Sequence, residues 1–155
     1  MFTMNPDGTG PLNLSHRAGN DVEASWSPDG TKVIFVGTNY VWSIDPNGQA
    51  LAMVTPGTDT QPAWSFDGKI YHSHSVGSTL QLYVTSPFGT NQHAVYTTSI
   101  SQESVVPSAD GSMIAWSESE GGGAHVYVAN NDGSNATRLT NSSGPDNPLA
   151  WLPCH

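Results

Sequence analysis

Short apolar segments recur along the chain, and most of them alternate with polar residues or combine β-branched with aromatic side chains. They include KVIFVG at 32–37, YVWSI at 40–44, LQLYVT at 80–85 and MIAWS at 113–117. Such segments are typical of β-strands, because successive side chains on a strand point to opposite faces. No segment of useful length has helical periodicity. The pattern therefore predicts an all-β chain.

Turn phrases that end in glycine separate these segments and form two interleaved series. The first series is SPDG at 27–30, SFDG at 65–68 and SADG at 108–111. The second series is NPDG at 5–8, DPNG at 45–48, SPFG at 86–89 and NNDG at 130–133. Proline presets φ, Asp or Asn tolerates the third position, and glycine accepts the positive φ of a hairpin turn. The two series together indicate hairpins joined one after another.

The first series has a period near forty residues, since Gly30, Gly68 and Gly111 are 38 and 43 residues apart. A fixed period of this length marks a repeat architecture. Each repeat holds two hairpins and hence four antiparallel strands, which form one blade of a β-propeller. We predict a single propeller or propeller segment over 1–155, with three complete repeats plus split end strands at about four blade positions. The predicted repeats are 1–20 (partial), 21–58, 59–101, 102–145 and 146–155 (partial).

Superposing the repeats aligns large apolar residues in columns, as stacked sheets require, because each sheet buries a face against its neighbours. One column contains Trp26, Trp64 and Trp151, and another contains Phe2, Trp42, Tyr83 and Tyr127. A third column contains Leu14, Val54, Val95 and Leu139. We expect these side chains to pack between blades. Stacking on carbohydrate is the alternative role for the tryptophans.

The chain carries three further motifs, DVEASWSPDGTKVIF at 21–35, YVWSIDPNG at 40–48 and RLT at 138–140. Together they resemble the TolB-type, WD-repeat-like propeller module, and the resemblance covers essentially the whole chain. It implies the propeller fold but no single function. Related blades serve as protein-binding platforms, as substrate gates in the prolyl oligopeptidase family and as scaffolds in some pectate-degrading lyases.

Composition narrows the classes of partner. Four Lys and Arg residues stand against thirteen Asp and Glu residues, and the net charge of −9 opposes binding to nucleic acid and to anionic lipid surfaces. Only 11% of residues are charged, which is in keeping with an extracellular or periplasmic repeat protein. No apolar stretch approaches the length needed to span a bilayer. The single cysteine, Cys154, excludes an internal disulfide framework and is interpreted as an incidental thiol.

The sequence contains no nucleophile elbow, no HExxH zinc motif and no phosphate-binding glycine loop, so we predict no catalytic residues. Only His72 and His74 lie close together, at i and i+2 on one strand face. His72 aligns with Phe35 and Trp116, which favours a histidine at the edge of the core. Metal ligation is the alternative, and it lacks obvious further ligands. A pectate-lyase function would depend on such a site.

An acidic column stands at the start of the repeats, five residues before each tryptophan. It contains Asp21, Asp59 and Asp146, with Gln102 in the third copy, and Glu23 and Gln61 follow two residues later. The family resemblance implies that this strand is the innermost one, so that the carboxylates gather near one mouth of a central channel. There they could hold Ca²⁺. The alternative is that each Asp caps its loop by accepting hydrogen bonds from nearby backbone N–H groups.

These observations predict a non-enzymatic scaffold that binds proteins through its loops and exposed strand edges. The alternative is the propeller portion of a larger secreted hydrolase or lyase, which gates substrate or binds carbohydrate or peptide. If the four strands of a blade are lettered a to d in chain order, the two ends of the chain supply a, c and d strands of the split blade but no b strand. We therefore expect the strand near Trp151 to pair with the Phe2 strand of a neighbouring copy, giving a C2 ring or a filament. The competing explanation is that the chain is a fragment of a longer propeller.

Overall fold

The computed structural model describes residues 1–148, 150 and 151, and Cys154 lies outside them. The described residues form strands and turns, and none of them forms a helix that could cross a membrane. The strands are β1 (Phe2–Thr3), β2 (Leu12–Asn13), β3 (Asp21–Trp26), β4 (Val33–Gly37), β5 (Tyr40–Ile44), β6 (Ala52–Met53), β7 (Asp59–Trp64), β8 (Ile70–Val76), β9 (Thr79–Thr85), β10 (His93–Tyr96), β11 (Gln102–Pro107), β12 (Met113–Glu120), β13 (Gly123–Asn130) and β14 (Thr137–Arg138).

Three antiparallel sheets of four strands follow one another along the chain. Strands β3 to β6 form blade 1, β7 to β10 form blade 2 and β11 to β14 form blade 3, each in sequence order. Strands β1 and β2 pair only with each other among the described residues, with Phe2 opposite Asn13, and we call them the half-blade. The predicted all-β architecture of four-stranded antiparallel blades is thus confirmed. Residues 146–148, 150 and 151 form no strand, since no neighbouring strand pairs with them in the described chain.

The core consists of three apolar clusters, and each lies between successive blades. In β4, Val33 and Phe35 pack with Leu14, which directly follows β2, whereas Ile34 packs with Ile70 of blade 2. This split follows from the two-residue period of a strand, which sends neighbouring side chains to opposite faces of the sheet. The third cluster joins blades 2 and 3. Its buried members are Tyr71, Leu82, Val84, Val105, Ile114, Trp116 and Ala129.

The glycines that end the second series of turn phrases, between the third and fourth strands of each blade, touch the preceding blade. A methyl group at Gly89 would overlap the carbonyl oxygen of Val54, and one at Gly133 would overlap that of Val95. Gly48 stands in the same relation to Leu14, with 3.2 Å between the added carbon and the carbonyl oxygen. The residues in the Leu14, Val54 and Val95 column therefore mark where each blade receives the turn of the next. Two requirements meet at these glycines, a positive φ and the close approach of a neighbouring backbone.

Candidate functional site

The first strand of each blade contains a β-bulge at the same place. The pairing register shifts between Val22 and Ser25 in β3, and it shifts at the equivalent places in β7 and β11. The bulged residues have positive φ although none is glycine: Glu23 (56°), Gln61 (54°) and Ser104 (55°). A bulge leaves its residue out of the ladder and redirects its backbone and side chain. The redirected side chains of Glu23 and Gln61 then accept hydrogen bonds from the following blade.

These bulges are linked from blade to blade by hydrogen bonds. The backbone N–H of Gln61 donates to the Glu23 carboxylate at 2.6 Å, and the backbone N–H of Ser104 donates to the Gln61 side-chain oxygen at 2.9 Å. The bulge side chains of blades 1 and 2 thus each bind the bulge backbone of the following blade. The residue at this position after Asp146 is Pro148, which has no N–H to donate. This Glu23–Gln61–Ser104 series, which we call the bulge ladder, therefore ends at blade 3.

In blade 2, the predicted site residue Asp59 lies between the two predicted histidines. Asp59 and His72 are fully buried, and the Nδ1 atoms of His74 and His72 lie 2.6 and 3.1 Å from the same carboxylate oxygen. Burial by itself raises the pKa of Asp59. The imidazoles, His72 above all, and the Thr55 hydroxyl outweigh this effect and hold the pKa below its ordinary value. The histidines therefore have a carboxylate partner that sequence reasoning did not assign to them. The pairing of β7 with β8, which sets Asp59 opposite His74, brings these side chains together.

The other members of the acidic column have different partners. Asp21 lies 4.0 Å from the Arg17 guanidinium and from the amino terminus, and the Ser142 hydroxyl donates to Asp146 at 2.5 Å. Gln102 is buried and donates to the Thr98 hydroxyl at 2.7 Å. No three His, Cys, Asp or Glu side chains within 1–148, 150 and 151 are arranged to hold a metal ion. The column thus has local partners in each repeat, and Ca²⁺ binding stays a prediction.

The tryptophan column is buried unevenly. Trp64 packs against the cluster between blades 1 and 2, and the indole N–H of Trp151 donates to the Val106 carbonyl at 2.8 Å. Trp26 departs from the expected burial and is 51% exposed. The reason is that Trp26 faces the half-blade, where two short strands stand in place of four. In the second column Trp42, Tyr83 and Tyr127 are half-buried, but Phe2 is 71% exposed.

Trp26 and Phe2 belong to an apolar surface on the half-blade side of the molecule. They line one shallow depression together with Met1 and Leu14. We call this surface the open face. Here β1 also has one edge without a strand partner among the residues described, so apolar area and free backbone groups occur together.

The turn carboxylates form a separate, repeated arrangement. In the first turn of blades 1 and 3, Asp29 and Asp110 each accept hydrogen bonds from two hydroxyl groups and one backbone N–H. The Ser27 and Ser108 hydroxyls contribute most, and these bonds hold the pKa of each aspartate at about 2. These carboxylates cap their turns, and the low pKa keeps them ionised near neutral pH.

The turn carboxylates predict a loss of stability in acid. Because their pKa is lower in the folded protein than in the unfolded chain, their contribution is complete above about pH 4 and is lost as the pH falls toward 2. We expect the melting temperature to fall over this interval, as measured by circular dichroism. The variant Asp29→Asn, Asp110→Asn keeps an acceptor oxygen at each turn and should show a smaller fall. Equal falls in both proteins would contradict this assignment.

Comparisons with known proteins bear on the whole chain. The family model described as the TolB beta propeller domain matches residues 1–155. No curated protein gives a significant match. Among solved structures, a putative TolB from Agrobacterium tumefaciens has 18% identity and a TM-score of 0.81, with 90% of this chain and 55% of that chain covered.

Two further structures are similar in fold. TolB from Acinetobacter baumannii has 19% identity and a TM-score of 0.79, over 95% of this chain and 39% of that one. A puromycin hydrolase S511A mutant complexed with PGG has 12% identity and a TM-score of 0.76, over 92% of this chain and 25% of that one. The chain therefore spans about half the length, or less, of the structures that it resembles.

Proposed function

The chain belongs to the TolB β-propeller domain family, and from this premise we propose that it is a non-enzymatic scaffold that binds other proteins. It would work through its loops and exposed strand edges, which the stacked blades hold in place. The open face is the observation that carries this proposal. Large apolar side chains that stay exposed around one depression are a feature of interaction sites. Phe2 is 71% exposed and Trp26 is 51% exposed on this face.

We further propose that one partner is a second copy of the chain. The free edge of β1 can accept a strand, because its unpaired N–H and C=O groups need partners. The segment that ends at Trp151 is the complementary element, since Trp151 already packs on blade 3 and has no strand beside it in the described chain. Reciprocal pairing of the two ends gives a C2 ring, and non-reciprocal pairing gives a filament.

Light scattering on the purified 155-residue chain tests self-association. At tens of micromolar we expect a mass of two or more chains, and we expect Phe2→Ser with Trp26→Ser to return the protein to a monomer. Val76→Ser is the matched control, because Val76 is 43% exposed but lies at the end of β8 in blade 2, away from the open face. A well-folded wild-type protein that is strictly monomeric would refute the shared ring.

Native mass spectrometry of the same sample counts bound Ca²⁺, and a pull-down with the folded protein identifies other partners.

We propose an extracellular or periplasmic location for this scaffold. The low charged fraction of 11% and the abundance of Ser, Thr, Asn and Gly support it. Location of the full-length gene product by cell fractionation tests this proposal, and recovery in the cytoplasmic fraction would contradict it.

A second candidate function is the propeller portion of a larger hydrolase. The likeness to the puromycin hydrolase structure supports it, because this chain covers a quarter of that enzyme. The sequence of the intact gene separates the two candidates. A downstream α/β-hydrolase region with a Ser, Asp and His set would favour the enzyme, whereas a gene that encodes propeller repeats alone would favour the scaffold.

A further inference from the structure

A groove of about 690 Å³ lies between blades 1 and 2, on the face that carries the first and second turns. Blade 1 contributes its first turn, from Ser27 to Lys32, and residues near β6 that include Met53. Blade 2 contributes Trp64, Phe66 and the tip of its second turn at Phe88. Phe66 and Phe88 are 69% and 87% exposed, so neither gains much stability by burial in the fold.

Phe88 also conflicts with the chemistry of its own turn. In the other six turns, the third residue is Asp or Asn, and its side-chain oxygen accepts the backbone N–H two residues later. Phe88 has no such oxygen. The Ser86 hydroxyl takes the N–H of Thr90 instead, at 3.1 Å. A large apolar residue therefore stands where the repeat otherwise has a turn-stabilising polar residue, and the fold itself gives no reason for it.

Phe66 is a second exposed phenylalanine in a turn phrase. It occupies the position of Pro28 in blade 1, where proline presets the backbone for the turn. Both Phe66 and Phe88 line the same groove beside Trp64 and Met53. Neither turn needs a large apolar side chain at these positions, so the turns themselves do not explain two exposed phenylalanines at one surface. Aromatic side chains at such a place supply large, rigid contact area to a partner.

The charge around the groove is negative. Lys32 pairs with Asp45 at 2.7 Å and Lys69 pairs with Asp67 at 2.5 Å, so both nearby cations are engaged. Asp29 has no cation within ion-pair distance in the part of the chain that the structure describes. The net charge of the whole chain is −9. A partner with positive charge is therefore favoured both at the groove and during the approach to it.

We propose that this groove binds an extended segment of another protein in which an aromatic or aliphatic anchor stands next to Lys or Arg. The anchor packs between Phe66 and Phe88 over Trp64, and the cation lies near Asp29. This inference rests on the proposed role as a protein-binding scaffold, and it names a site distinct from the open face. Deletion of the aromatic pair should therefore abolish this binding and leave self-association intact.

The test uses a displayed library of random twelve-residue peptides, selected against the folded 155-residue protein. We expect enriched peptides to combine an aromatic or aliphatic residue with Lys or Arg. A synthetic copy should bind at least tenfold more weakly to Phe66→Ser, Phe88→Asp, as measured by fluorescence anisotropy. Glu in place of its Lys or Arg residues should weaken binding to the wild type. The single substitution Phe88→Asp restores the turn cap of the other six turns, so the Phe88→Asp protein should melt at or above the wild-type temperature.

The open-face variant Phe2→Ser, Trp26→Ser is the control and should bind the peptide as the wild type does. Absence of enrichment, or equal affinity for the wild type and for Phe66→Ser, Phe88→Asp, would overturn the groove proposal. If partners from the pull-down also bind that variant normally, the scaffold function stands and only this site fails. If neither peptides nor proteins bind any form, both proposals fail.

Discussion

Gly89→Ala will lower the free energy of unfolding by about 2–5 kcal/mol, as measured by urea denaturation. Two costs add at this position. Gly89 has a φ of +73°, which an alanine adopts only with strain, and its new methyl group would overlap the carbonyl oxygen of Val54 in blade 1. A backbone oxygen cannot move aside as the end of a flexible side chain can. Blade 2 would have to shift away from blade 1, which loosens the cluster between them.

Gly68→Ala separates these two costs. Gly68 has a φ of +82° in the first turn of the same blade, but nothing lies within 4 Å of an added methyl group. It should therefore lose only the conformational part, about 1–2 kcal/mol. Gly133→Ala, which meets the Val95 carbonyl in the same way, should match Gly89→Ala. If Gly68→Ala proves as harmful as Gly89→Ala, the contact between blades contributes nothing.

Trp116→Ala will lower the free energy of unfolding by about 3–5 kcal/mol, the second large effect. The side chain is fully buried in the cluster between blades 2 and 3, and its ring centroid lies 4.7 Å from that of Tyr96 in blade 2. Its indole N–H has no hydrogen-bond partner among the described residues, so the substitution breaks no hydrogen bond there. The loss is one of apolar burial and aromatic packing, with a cavity left behind.

Trp26→Ala is the matched control, because it removes the same side chain from a site that is 51% exposed. Its cost should be well below that of Trp116→Ala when both are measured at low protein concentration, where self-association does not contribute. Similar losses in the two variants would mean that Trp26 is buried in solution, which would in turn support a partner on the open face.

The repeat period was sufficient to predict the architecture because each blade has the same local requirements. Turn phrases about twenty residues apart fix the hairpins, and the alternation in segments such as 32–37 fixes which side chains face each neighbour. The column of Leu14 and Val54 was recognisable because both residues are apolar at the same place in the period. Its exact role, to receive a glycine turn from the next blade, depends on contacts between blades that no single repeat contains.

The candidate sites were less predictable, because equivalent positions have different partners. Asp21 meets Arg17, whereas Asp59 meets His72 and His74, so the column alone indicates no common chemistry. The bulges were missed because residues with positive φ that are not glycine leave no clear mark in a sequence. Phe66 and Phe88, in contrast, are visible in the sequence as phenylalanines within turn phrases. Their proximity follows only from the fold, which brings two distant turns to one groove.

The bulge ladder has a consequence for how the blades separate. Its first link ends on the Glu23 carboxylate and is charge-assisted, its second ends on the neutral Gln61 amide, and a third is prevented by Pro148. Charge-assisted bonds are roughly twice as strong as neutral ones. The hydrogen bond of the ladder is therefore stronger between blades 1 and 2 than between blades 2 and 3, so that separating the first pair breaks the stronger bond. A chain of similar repeats acquires in this way a polarity along its length, because equivalent hydrogen bonds between successive blades differ in strength.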